Sequence, residues 1–102
     1  MRKAINFDID TKKYKKCTKK SASTAYEEIK DFLYKNDFIH RQGSGYISKE
    51  SLKDFQVATI ILAMSMELKW LKYCVKEMDV TNIGKQYSMI NVINEASKKL
   101  NK

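Results

Sequence analysis

Apolar and polar residues alternate from the start of the chain: Ile5, Phe7 and Ile9 are separated by Ala4, Asn6, Asp8 and Asp10. A period of two predicts a β-strand over about residues 3–9, with one apolar face and one small or polar face. From residue 24 the period changes. Ala25, Ile29, Phe32 and Leu33 recur at helical spacing, and Thr24 with Glu27 has the form of a capping box, so a helix is expected over about 24–36. Two short β-prone segments, 38–42 and 45–48, flank Gly43 and Ser44 and read as a hairpin.

A second helical pattern begins at Ser51. Phe55, Ala58, Ile61, Leu62, Ser65 and Leu68 share its expected buried face, and Trp70, Leu71 and Cys74 continue it after a break near residue 66. Val75 to Ile83 reads as a last strand and Gly84 as a stop. Tyr87, Ile90, Val92, Ile93 and Ala96 suggest a C-terminal helix closed by Lys98 and Lys99, whose charge suits the helix dipole.

The order strand, helix, strand, strand, helix, strand predicts an α+β, ferredoxin-like βαββαβ domain: an antiparallel sheet, helices on one face and a C-terminal helical tail. The 102 residues make one domain, with a core over about 2–83 and an extension over about 84–102. Right-handed crossovers place the first and third strands at the centre. In this reading Ile5, Phe7, Ile9 and Ile47 face the helices. Ala4, Asn6, Asp8, Ser44, Tyr46 and Ser48 share the other face, and a second copy packed there by a two-fold axis would bring two Asp8 side chains together.

Charge adds a partner to this outline. The formal net charge is +8, and Lys12, Lys13, Lys15, Lys16, Lys19 and Lys20 follow the first strand in what reads as a basic loop. Such a surplus favours a polyanion, and a lysine run beside Asp8 puts a carboxylate next to a phosphate site. Tyr14 in that loop and Tyr46 on the sheet are candidates to stack on unpaired bases, Tyr46 also to pack a dimer. The apolar run from Val57 to Met66 is too short to span a bilayer, and a loop-like lysine run does not form an amphipathic membrane helix, so a membrane partner is not expected. Cys17 and Cys74 form no disulfide or metal pattern and no secretory pattern opens the chain, which points to a reducing, cytoplasmic setting. His40, the single histidine, lies on an expected edge strand away from Asp8 and reads as a surface or packing residue.

Three segments together carry a resemblance: residues 4–8 (Ala-Ile-Asn-Phe-Asp), residues 23–29 (Ser-Thr-Ala-Tyr-Glu-Glu-Ile), and Phe38 followed by residues 41–46 (Arg-Gln-Gly-Ser-Gly-Tyr). With Trp70-Leu71 and residues 75–78 (Val-Lys-Glu-Met), the sequence over about residues 2–83 resembles the virulence-associated protein D (VapD) family, small homodimeric endoribonucleases of ferredoxin-like fold. These are similar in architecture to the small nucleases of CRISPR spacer acquisition. The resemblance implies RNA cleavage in a toxin–antitoxin or virulence setting, with a small antitoxin protein as a further candidate partner. It makes Asp8 the catalytic aspartate, and Ser44 and Tyr46, on the hairpin motif, further site candidates. Lys12, Lys13, Lys15, Lys16 and Arg41 are then the candidates to grip RNA.

Asp8 would act as a base on the 2′-hydroxyl, or two Asp8 side chains would share a Mg²⁺ ion. Asn6, Gly45 and Asp10 depart from the family pattern, and Glu77 and Asp79 are carboxylates whose distance from Asp8 depends on strand register. The competing expectation is a non-catalytic dimer that binds nucleic acid or a protein.

Overall fold

The computed structural model describes residues 1–41 and 45–84. Ser44, with the rest of the hairpin tip, and the expected C-terminal helix over 87–96 lie outside the described residues. Four strands, β1 (Arg2–Ile9), β2 (Phe38–His40), β3 (Gly45–Ser48) and β4 (Val75–Ile83), form one sheet in the order β2-β3-β1-β4, with every neighbouring pair antiparallel. Four helices complete the described chain: α1 (Thr11–Thr18), α2 (Ala22–Lys35), α3 (Asp54–Glu67) and α4 (Leu71–Cys74).

The core forms on one side of the sheet. Ile5, Phe7 and Ile9 of β1 pack there with Tyr14 of α1, Ala25, Ile29, Phe32 and Leu33 of α2, Val57 and Met64 of α3, and Leu71 and Cys74 of α4. The alternation of β1 therefore has the predicted sense. Its odd positions are buried among helices, while Asn6 and Asp8 are exposed on the other side. β4 runs Val75–Ile83 as its pattern predicts, pairs with β1 along its length, and carries a bulge opposite Asp8 and Ile9. β1 and β3 lie at the centre, as the crossover rule predicts.

Register corrects the hairpin. Ile5 pairs with Tyr46 and Ala4 with Ile47, so Tyr46 faces the helices and Ile47 faces away, the reverse of the sequence-based expectation. Ser48 also lies on the helix side, opposite the buried Phe38. A one-residue shift reverses every side chain of a strand, and four residues of hairpin pattern were too few to fix it. Ala4 and Ile47 are buried on the face away from the helices, while Asn6 and Asp8, towards the C-terminal end of β1, are exposed there.

The stretch read as a basic loop is α1. Asp10 caps it, accepting from the Lys13 backbone N–H through its side chain (3.0 Å), and Lys19 closes it in the left-handed region at φ 62°. Tyr14 is its buried anchor. The ring meets Trp70 edge-on at 4.6 Å, and the hydroxyl donates to Glu28 Oε2, which also accepts from Trp70 Nε1 at 2.7 Å. Tyr14 is thus a core residue rather than a base-stacking one.

Two further expectations change. α2 begins at Ala22 after Ser21, whose hydroxyl bonds those of Ser23 and Thr24, so Thr24 and Glu27 do not form the capping box. α3 buries Val57 and Met64, while Phe55, Leu62 and Met66 are exposed. α3 is apolar nearly all round, so periodicity alone does not choose its buried side. Lys3 selects it: the buried lysine is held by the side chains of Asp54 and Asn82, fixing the start of α3 against β1 and β4. The two cysteines, far apart in sequence, meet as free thiols where α1 packs on α4, and burial with the neighbouring Cys17 pushes the Cys74 thiol up.

Candidate nucleic-acid interface

α1 turns a run of lysines into a row. Positions 12, 15, 16 and 19 recur on one side of a helix, and these four side chains surround an open groove of about 470 Å³. All four are exposed. Lys13 leaves the row, its charge lying near the Cys74 thiol. The helix changes the argument about membranes. The run is indeed one face of a helix, but the opposite face carries the buried Tyr14 and is spent on the core, leaving no apolar side to insert. Among the described residues no helix is long and apolar enough to cross a membrane.

Asp8 lies on the other side of the sheet from α1. It is exposed, and no described side chain hydrogen-bonds or ion-pairs with its carboxylate. Its partner across the strands is Glu77, and the neighbouring pair is Asn6 with Asp79. Directly opposed side chains in an antiparallel pair have Cβ atoms about 4.5–5.5 Å apart, and like charges placed so repel. Three carboxylates thus share a small area of a protein that is otherwise strongly basic. An arrangement that costs stability in this way favours a cation between the charges.

The hairpin brings a positive charge to the same end of the sheet. Arg41 follows β2, and its backbone N–H donates to the Gly45 carbonyl (2.7 Å), while Gly45 pairs with Asn6. Alternation from His40, which faces the helices with Tyr46, carries Arg41 to the face of Asn6 and Asp8. Gly45, itself buried, stands between Arg41 and Asn6 in the register, which draws a track across the sheet from the arginine towards the carboxylates. Two strand spacings, about 10 Å, separate Arg41 from Asn6 along it.

Tyr46 is not on this track. It is buried on the helix side with its ring 6.0 Å from that of Phe7, and burial pushes its phenol up, with Tyr34 and Asp31 adding to the effect. His40 packs its ring edge-on against Tyr46 at 5.1 Å. Of the expected site residues, Asp8 and the Arg41 backbone thus lie towards one end of the sheet, two strands apart, away from Tyr46 and from the lysines of α1. Glu77 and Asp79 join the track through a register that the sequence named but did not fix.

Among the described residues no three histidine, cysteine or acidic side chains gather as a metal site within one chain. Mg²⁺ needs fewer: it binds through one or two carboxylates, with phosphate and water completing an octahedron, and Asp8 and Glu77 are of the right type and spacing to hold it. When bound, the ion would neutralise phosphate charge. No protein-family model and no curated protein matches the chain.

Proposed function

We propose that the chain is a ferredoxin-like, VapD-type endoribonuclease that works as a homodimer, binding RNA through basic side chains and cleaving it at Asp8. The observation that carries this reading is the exposed Asp8 in register with Glu77 on the sheet face away from the helices. The sheet order β2-β3-β1-β4 supports the fold. An RNA strand along the track has its phosphates at Arg41 and its reacting sugar at Asp8. Asp8 takes the proton of the 2′-hydroxyl, the 2′-oxygen attacks the adjacent phosphorus, and the 5′-oxygen leaves and is protonated by water. Arg41 neutralises the charge that builds on the non-bridging oxygens. In the proposed dimer a second copy packed on this face brings a second Asp8 to the two-fold axis.

The test uses highly purified protein with an end-labelled single-stranded RNA and its all-deoxy counterpart, each with and without EDTA. The RNA is cut and the DNA is not. Persistence of cleavage in EDTA selects the carboxylate-base route, and its loss selects Mg²⁺ bound at Asp8. A second reading, a binding protein that hydrolyses nothing, is favoured by one observation: the lysine row of α1 lies among the helices, so RNA held there has no need of Asp8. Salt-dependent RNA binding without products establishes that reading and removes the first.

A further inference from the structure

The helix side of the sheet has an opening that the track does not use. Tyr26, Lys30 and Tyr34 recur every four residues along α2 and project over the edge of the sheet, where His40 and Tyr46 meet them. The resulting cleft has a volume of about 370 Å³ and Glu27 on its rim. Its walls are aromatic rings in mutual contact. Phe7 stacks on both Tyr26 and Tyr46, at 6.1 and 6.0 Å between centroids, and Tyr34 meets Tyr46 edge-on at 6.3 Å. Tyr46 forms the buried floor, and Tyr34, 45% exposed, is the lip. Lys30 holds its ammonium 5.5 Å from the centroid of the Tyr34 ring.

We infer that this cleft seats one unpaired nucleotide of a single-stranded RNA, the base against Tyr34 and Tyr46 and the phosphate at Lys30. The inference rests on the RNA-binding part of the proposed function and adds a specific site to it. Four features select this occupant. A base has two apolar faces and a polar edge, which suits tyrosine walls with Glu27 as an acceptor for an exocyclic amine. Lys30 already lies over an aromatic face, so a base slid onto Tyr34 finds a cation beside its own phosphate. The floor is a hydrophobic cluster anchored in the core, so the site is held before anything binds. The net charge of +8 favours an anionic chain over a cationic ligand. A quaternary ammonium group is the other chemistry that tyrosine walls accept, and the test includes it.

The probes are a single-stranded oligoadenylate and an abasic ribose–phosphate oligomer of equal length, titrated into wild type, Tyr34→Ala and Tyr34→Phe. Tyr34 is exposed enough that neither change threatens the fold. Wild type binds oligoadenylate about tenfold more tightly than the abasic strand, the size of one good stacking contact. Tyr34→Ala loses most of that advantage without altering abasic binding, and Tyr34→Phe keeps it. Equal weakening of both strands, or no change in either, overturns the site. If wild type binds neither strand, the RNA reading fails separately, and adenosine monophosphate added alone then judges the cleft through the ring-proton NMR shifts of Tyr34 and Tyr46. Shifts with the nucleotide support the site. None, or shifts with tetramethylammonium only, overturn it.

Discussion

Removing the carboxylate of Glu28 should loosen the lysine helix from the body of the protein. The magnitude follows from the junction itself. One oxygen, Glu28 Oε2, accepts a 2.7 Å bond from the Trp70 indole and a longer, 3.3 Å bond from the Tyr14 hydroxyl, joining α1, α2 and the turn before α4. A hydrogen bond to a charged acceptor contributes about 1.5–3 kcal/mol, and the long tyrosine bond adds little. The Glu28 side chain is 30% exposed, so water recovers part of the loss, and its 3.6 Å pair with the exposed Lys20 is of the surface kind that contributes little. Alanine is also the better helix former by a few tenths of a kcal/mol. Glu28→Ala should therefore cost about 1.5 kcal/mol, and Glu28→Gln, which keeps an acceptor oxygen, about half as much. Trp70 is the chain's single tryptophan and sits at the junction, so urea unfolding followed by its fluorescence reads both quantities. A loss below about 0.5 kcal/mol for Glu28→Ala would refute the claim that this oxygen fastens α1, and so would a glutamine variant as unstable as the alanine one.

Two other outcomes are expected. Four lysine–phosphate contacts give a slope of log K against log salt of about −3 on single-stranded RNA, and Lys12→Gln with Lys16→Gln together should make it shallower by about 1.4; an unchanged slope places the RNA away from α1. Lys3 holds the Asp54 carboxyl below its ordinary 3.8, so the folded state gains from this contact above that value and loses the gain as pH falls below it. Asp54→Asn should thus lower the urea midpoint at neutral pH and bring it closer to that of wild type near pH 3, whereas a constant gap shows that the contact adds nothing through charge.

Legibility in the sequence followed the amount of repetition each feature carried. β1 and β4 are long enough for their alternation to define faces, and the odd positions of β1 are buried as it implies. β3 is four residues long and buried throughout, so its sequence contains no signal of which side Tyr46 takes. α1 was hidden by composition: six lysines in nine residues (12–20) look like a solvated loop, although the spacing 12, 15, 16, 19 is helical and Asp10 is a cap. Its single apolar anchor, Tyr14, was too little to show a period. In α3 the reverse held, because apolar residues on every side left the choice to Lys3 and Asp54, a contact between residues fifty-one positions apart. The candidate site divided in the same way. Asp8 could be placed on a face from β1 alone, whereas its juxtaposition with Glu77, and the line from Arg41 through Gly45 to Asn6, exist only once all four strands are in register.

The claim on which the functional account turns is that the exposed sheet face performs chemistry while basic side chains elsewhere do the holding. Single-turnover cleavage of a single-stranded RNA at saturating protein, wild type against Asp8→Asn, addresses it directly, because saturation removes binding from the rate. The account predicts a rate lowered by about 10²–10⁴-fold, the usual contribution of a positioned general base, with RNA affinity unchanged. An Asp8→Asn variant that cuts as fast as wild type contradicts it.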